Sequence, residues 1–540
     1  MIKDRVHFKD IPKTSALLLD YLHDFPKVSR FFAHAYALDS FRKEAVTCAP
    51  QLPHRQELCQ ILEKQNRAFG AGARTFENLD RLRDSECWGV VTGQQVGLFT
   101  GPAYTIYKAL TAIKLAAHYA WRGMKVVPLF WMATEDHDLA EVDHCYLVDG
   151  DAEPQLIRYE SEDASRPVGR ISFTESIRAC LRQFLDTLPN SEFRQEIEAK
   201  LADSYQEGKT FAAAFGEVFS HLFSNYGLIL VDPQDERLKA LARPVFERIL
   251  LESTRYRSLV QSRSDELVAA GYHSQVVVDE DSTGLFVEED GKRRALVREG
   301  EFLKSKTGSQ RMAVSGFQEA LQKAPGSFSP NVLFRPLTQD LLLPTFSYVA
   351  GPSEIAYLAQ IGPLYEEFGR KAPIIFPRFS FSVVEKKIGK ILDKYGLNFT
   401  DLFAGSEAAI KKVVEQNLDQ RLAAKFEEIE HSFVERLAEL DGPLRAVDAT
   451  LGEALKTMQQ KVQYQVSHLR TKFVHAEAKH QEILTKQIEK ASGLLYPLKT
   501  LQERRINIFY FLSRYGMDFL AQLYEEIDLT DPDHRLFYVG

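Results

Sequence analysis

The sequence predicts an α/β protein: a doubly wound core with inserted connecting segments, followed by a long antiparallel α-helical coiled coil. Three observations carry this. First, the β-branched run Trp88–Thr92 leads into a glycine-rich stretch, Gly93–Gly101. A helical pattern from Pro102 to Gly123 follows, and then the strand-like Lys125–Met132, apolar from Val126 onward. Strand, helix and strand in succession form a βαβ unit, and an unbroken apolar run marks a strand covered on both faces. Second, the strand-like runs Leu228–Asp232, Asn331–Arg335 and Pro373–Pro377 alternate with helical stretches, Phe211–Asn225 and Ser353–Phe368 among them. Third, beyond Gly396 apolar residues step by three or four: Leu418, Leu422, Phe426, Ile429, Phe433, Leu437 and Leu440, then a second series from Leu451 to Ile483. That spacing is a helical stripe, and Asp441-Gly442-Pro443 breaks it into a hairpin.

Composition bounds the function. The chain has 540 residues, 45% hydrophobic and 26% charged, with a formal charge of −8. Such values belong to a folded globular protein and argue against a general nucleic-acid binder, which needs a basic footprint. The five cysteines, Cys48, Cys59, Cys87, Cys145 and Cys180, are odd in number and contain no C-x-x-C pair. They predict neither a disulfide framework nor a cysteine zinc site. No apolar run approaches the ~20 residues that cross a membrane. The first residues carry charge and lack a small-residue cleavage site, so the expected location is the cytoplasm.

In chain order, residues 1–85 read as helices packed on the core, with helical spacing over Ser15–Tyr36 and Arg55–Phe69. Residues 86–400 form the core, with insertions at about 150–210 and 240–330. Within the second insertion Gln275–Val278, Gly284–Glu288 and Arg294–Val297 read as short strands, and Asp290-Gly291 is a hairpin signal. Residues 401–497 form the coiled coil, whose stripe must be buried in part by the hairpin's inner face, with a second copy of the chain able to take the rest. Residues 498–540 return to the core and end in Arg535–Val539, an expected edge strand.

In open α/β sheets ligands bind beyond the carboxyl ends of the strands. Gly93 and Gly101 sit at such an end and let the backbone approach a ligand, while Gln94 and Gln95 offer amides. The next strand runs into Glu135-Asp136-His137-Asp138, where a carboxylate beside an imidazole suits a general base. The same quartet offers oxygen ligands to Mg²⁺, though no metal site is assigned. A third cluster runs Arg335–Asp340 and Gly351–Glu354, with Tyr357 and Gln360 beyond. Arg378 closes the run Pro373–Pro377. Glu354 reads as a partner of the helix N-terminus or of an ammonium group. Arg378 reads as a carboxylate ligand or as a structural ion pair. His273, Ser274 and Cys145 read as structural, Cys145 as an inert core thiol.

The motifs GQQVGLFTGPAYTIYKALTAIKLA, VPLFWMATEDHDLAEVDH, RPLTQDLLLPTFSYVAGPSEIAYLAQ, IIFPRFS and LQERRINIFYFLSRYG, in this order, resemble the cysteine ligase family of bacillithiol biosynthesis. Leu139 and Ala140 depart from the aromatic and acidic residues expected after EDHD. The resemblance implies a Rossmann-like core with connecting segments and a coiled coil used for homodimerisation. It implies amide formation between the carboxyl of L-cysteine and the amine of glucosaminyl-malate, the last step of bacillithiol synthesis. On that reading His137, with Asp136 or Asp138, is the base. Lys108 and Arg378 meet the malyl carboxylates, and Gln94, Gln95, Tyr104 and Tyr357 orient sugar hydroxyls or cysteine. A free carboxylate is a poor electrophile, so ATP with Mg²⁺ stands open as the activator, although no standard nucleotide fingerprint is present. The alternatives are a nucleotidyl- or glycosyl-transferase using the same crevice and a coiled-coil scaffold without activity.

Overall fold

The computed structural model describes residues 5–36, 38, 52–161, 163, 165–309, 311–417, 420–480 and 482–540; Cys48 and Leu418 lie outside them. At its centre is a five-stranded parallel sheet. Its strands, in spatial order, are Ile374–Pro377, Thr345–Ala350, Trp88–Gln94, Val126–Met132 and Ile229–Val231. The chain enters in the middle, winds outward through Val126–Met132 to Ile229–Val231, and later fills the other side. The order therefore reverses between Trp88–Gln94 and Thr345–Ala350, and that switch point is where such a sheet opens a crevice. Every residue of Val126–Met132 is buried. The helix Tyr104–Trp121 that follows the first strand is buried over most of its surface. Each large apolar side chain sequestered there contributes roughly 1.5–3 kcal/mol.

The expected core strand at Asn331–Arg335 is a turn. Asn331 Oδ1 accepts from the amides of Leu333 and Phe334, both at 3.1 Å, and this side chain closes the turn that precedes the helix Arg335–Leu342. The sheet strand is instead Thr345–Ala350, directly after Pro344. Gln275–Val278 is no strand either. The Val276 amide donates to Gln360 Oε1 and its carbonyl accepts from Gln360 Nε2, both at 2.9 Å, so a side chain replaces the ladder. The hairpin at Asp290-Gly291 is present, with φ of 52° and 73°, the left-handed pair that a two-residue turn requires. It belongs to an antiparallel five-stranded sheet inserted before Thr345–Ala350.

The terminal strand His534–Val539 is not at an edge. It lies between Arg5–Val6, antiparallel, and Phe381–Glu385, parallel, and so ties both chain ends to the core. Beyond Phe381–Glu385 the helices Gln420–Ala438 and Ala449–His480 form the hairpin, with the short helix Asp441–Val447 at the turn. Phe426 meets Phe473 across it at 6.2 Å.

His534 is wholly buried, with Nδ1 against Ser380 Oγ (2.7 Å) and Nε2 against Ser382 Oγ (3.0 Å). Burial pushes its pKa down to about 4, against the pull of Glu503 and with the help of Arg378. The unfolded chain takes up this proton near pH 6.5, whereas the folded chain resists until about 4. Stability from this group is therefore complete above pH 6.5 and drains away as the pH falls toward 4, by about 3 kcal/mol in all. Urea unfolding at pH 7 and pH 4.5 should show this loss in the native protein and a smaller one in His534→Gln. Equal losses in both would refute the assignment.

Candidate functional site

A cavity of ≈610 Å³ opens at the switch point, within the range that accommodates small-molecule ligands. Its floor is the glycine-rich turn. At Gly93 a Cβ would stand 2.7 Å from the Trp131 carbonyl oxygen, so the two strands can pair here only through glycine. Phe99, Thr100 and Gly101 follow in the left-handed region, with φ of 49°, 73° and 68°. Two non-glycine residues there are strained, and their surroundings must hold them. Asn507 does so by donating Nδ2 to the carbonyls of Phe99 and Gly101, both at 2.7 Å, while the Phe99 ring packs on Phe184 and Tyr205. Gly101 thus shapes the turn from behind and does not line the cavity.

Tyr104 and Lys108 stand one helical turn apart on the helix Tyr104–Trp121 and share its cavity face. Buried Lys108 donates Nζ to the Gly93 carbonyl (2.8 Å) and to Gln94 Oε1 (2.9 Å), and forms an ion pair with Glu354. Glu354 also accepts from the Gly351 amide and from Tyr348 OH, each at 2.7 Å. Burial alone would push this carboxyl up, but Lys108 and these donors outweigh it and hold it below the usual range. Glu354 therefore caps the helix Pro352–Gln360 and neutralises Lys108.

Arg378 also lines the cavity, but its charge is answered by a buried carboxylate. It donates Nη2 to buried Glu503 (2.6 Å) and Nη1 to the Phe379 carbonyl (3.0 Å). Glu503 accepts further from Ser380 Oγ (2.9 Å) and the Phe381 amide (3.1 Å). Burial works against this carboxylate, yet Arg378 first, then His534 and Ser380, keep it below its ordinary pKa. Of the two readings open for Arg378 in the sequence, the geometry matches the structural ion pair.

On the opposite wall the quartet after Val126–Met132 splits. Glu135 turns inward to a buried ion pair with Lys239. Asp136 accepts from Gln95 Nε2 (2.6 Å) and from the His137 amide (2.7 Å), and Gln95 Nε2 also donates to Glu141 (2.6 Å). Asp138 is exposed and outside the cavity wall. The carboxylate-on-imidazole relay expected from the sequence is not the arrangement found. His137 Nδ1 lies 3.7 Å from Asp136 Oδ1 but 3.1 Å from Arg293 Nη1. A guanidinium only donates, so Nδ1 accepts and the imidazole carries its proton on Nε2. Burial and then Arg293 lower the His137 pKa, against Asp136 and Asp138, which keeps the ring neutral. Arg293 is itself fixed by Ser329 Oγ (2.9 Å) and the Pro330 carbonyl (2.8 Å), with Phe286 stacked beneath it.

The structure thus gathers Gly93, Gln94, Gln95, Tyr104, Lys108 and Asp136 around one cavity. His137, Glu354, Tyr357 and Arg378 join the same wall. Sequence reasoning passed over Arg293, Glu141, Glu503 and Asn507 as individual residues. Glu503 and Asn507 stood inside the LQERRIN motif, whereas Arg293 lies in an inserted hairpin with no local signal. His273 and Ser274 are not on the cavity wall, and Cys145 is buried with its thiol pushed well up by burial. Among the described residues, the one cluster with metal-ligand proximity is His7, His23 and Asp533, away from the cavity wall.

Residues 1–379 match the family model for the bacillithiol biosynthesis BshC N-terminal Rossmann-like domain, and residues 381–539 match that for its C-terminal coiled-coil domain. The chain belongs to the bacillithiol biosynthesis BshC family. A relative in Koribacter versatilis is 34% identical over 100% of both chains. Another, in Salinibacter ruber, is 36% identical over 96% of this chain and 95% of its own. A third, in Geobacillus thermodenitrificans, is 30% identical over 98% and 99%. Each carries the name "Putative cysteine ligase BshC". The family expected from the motifs is the family found, and the Rossmann-like core and coiled coil agree with it. No helix among the described residues is long and apolar enough to cross a membrane.

Proposed function

We propose that the protein is a cysteine ligase that joins the carboxyl of L-cysteine to the amine of glucosaminyl-malate, the last step of bacillithiol formation. The observation that carries this reading, within the family, is the division of charge across the cavity. Asp136 and Glu141, bridged by Gln95, form an acidic side suited to an ammonium group. On the other side Lys108 and Arg378 are balanced by Glu354 and Glu503, and Arg335, with no carboxylate partner, leaves a net positive charge. An acceptor with an amine at one end and carboxylates at the other matches that polarity. The amine must shed a proton before it attacks. Asp136 is the acceptor of that proton, because Nδ1 of His137 is engaged by Arg293. His137 offers Nε2–H as a donor, and Gln94, Tyr104 and Tyr357 orient hydroxyls. Activation of the cysteine carboxyl requires a leaving group, for which ATP with Mg²⁺ is the reagent to test.

The exposed apolar residues Phe433, Leu440, Met458 and Leu469 on the hairpin support homodimerisation through the coiled coil, which light scattering reads directly. The cytoplasm, where both substrates are made on this reading, is the proposed location. The deciding experiment incubates purified protein with glucosaminyl-malate and cysteine, with and without ATP·Mg, and follows mass. The expected product has the mass of both substrates less one water. Turnover of a nucleotide or sugar donor without cysteine would favour a transferase instead.

A further inference from the structure

Three of the five lysines and arginines that line this cavity have a carboxylate at hand. Lys108 has Glu354, Arg378 has Glu503, and Arg293 has Asp136 at 4.0 Å. The other two are Arg504, which is exposed, and Arg335, the first residue of the helix Arg335–Leu342. Its Nη1 donates to Gln339 Oε1 (3.0 Å), and its Nη2 donates to Tyr357 OH (3.0 Å) and Tyr348 OH (3.3 Å). All three acceptors are neutral. Among the described residues no carboxylate oxygen comes within 4.0 Å of it. Lys108, Arg335 and Arg378 all feel Glu354, yet only Glu354 and Glu503 stand against the three. Exposed Arg504 aside, one positive charge in this wall is left without a counter-charge. Withdrawing a cation from water is costly unless something answers it, and a guanidinium presents five donors, of which the protein uses three here. The remaining donors and the net charge call for an oxyanion.

We propose that Arg335 is the oxyanion anchor of this cavity and that its occupant is a carboxylate of the acceptor substrate. The identity of the occupant rests on the ligase reading; the anchor itself does not. Arg335 keeps Nε–H and one Nη1–H to spare, each able to donate to a carboxylate oxygen, while Tyr348 OH and Tyr357 OH on Nη2 fix the orientation of the guanidinium. Lys108 and Arg378, the cations expected from the sequence to bind substrate carboxylates, have their charge answered internally. Discrimination between carboxylated and uncarboxylated acceptors therefore falls to Arg335. A nucleotide phosphate is the other source of the same chemistry.

The test uses the full-length protein with Arg335→Met and Arg335→Lys, and two acceptors with the same amine: glucosaminyl-malate and methyl glucosaminide. In Arg335→Met the preference for the carboxylated acceptor, read as the ratio of the two kcat/KM values, falls by about 10–100-fold, the worth of one charged hydrogen-bonding group. The loss is expected in KM more than in kcat, and Arg335→Lys restores part of it. General structural damage would lower both acceptors alike and leave the ratio intact, which overturns the proposal. A second arm measures melting temperature with malate and with inorganic phosphate. Malate is expected to stabilise the native protein and not Arg335→Met. An Arg335-dependent shift with phosphate alone overturns the carboxylate assignment, and a shift with neither overturns the anchor. Failure of the native protein to make product, with the malate shift intact, counts against the ligase reading alone.

Discussion

Arg378→Met is expected to lower folding stability by about 3–5 kcal/mol, the usual cost of stripping one partner from a buried ion pair. Glu503 is the reason. It is 1% exposed and receives Arg378 Nη2, Ser380 Oγ and the Phe381 amide. Without the guanidinium its charge stays buried with two neutral donors, and it must either remain costly or take up a proton. The pair joins residues 125 apart in the chain, linking the end of the strand Ile374–Pro377 to the returning C-terminal segment. The double variant Arg378→Met/Glu503→Gln should recover a substantial part of the loss, because no unpaired charge remains. Denaturant unfolding of the single and double variants reads both numbers. A single variant as stable as the native protein would show that Glu503 is not held as a buried anion, and would return Arg378 to the list of substrate ligands.

Asp136→Asn should cut kcat by about 10²–10⁴-fold, the span typical of removing a general base. The substitution is isosteric and leaves one oxygen, which can still accept from the His137 amide; the bond from Gln95 Nε2 to the second oxygen is lost, but Gln95 keeps Glu141, so the fold should survive. What is lost is the charge that holds the amine and the lone pair that takes its proton. His137→Ala removes one neutral hydrogen-bond donor, worth about 2–10-fold. Steady-state kinetics of the two variants rank the roles. If His137→Ala costs more than Asp136→Asn, the imidazole is the base, and the Arg293 contact must open during turnover.

These two variants also mark the boundary between what was legible in the sequence and what was not. The cavity residues at strand ends were legible because the βαβ unit and the strand-terminal polar runs are local patterns, readable from periodicity and turn chemistry. The state of each residue was not. Lys108 looked like a free cation, and Arg378 was open between a carboxylate ligand and an ion pair, because Glu354 and Glu503 are distant in the chain. His137 looked like half of a carboxylate–imidazole relay because its true neighbour, Arg293, comes 156 residues later on an inserted hairpin. Asn331–Arg335 looked like a strand by composition, but the Asn331 side chain closes a turn, and a helix follows from Arg335.

By itself, the sequence determined the α/β class, the glycine-rich turn, the hairpin of long helices and the family, since each is written in contiguous residues. The tertiary structure alone decided the strand order, the central place of His534–Val539, and which cations of the cavity are already neutralised. The reason is physical. Backbone conformation follows from neighbours a few positions away, whereas the charge and protonation of a buried group follow from whatever packs within a few ångströms of it, at any distance along the chain.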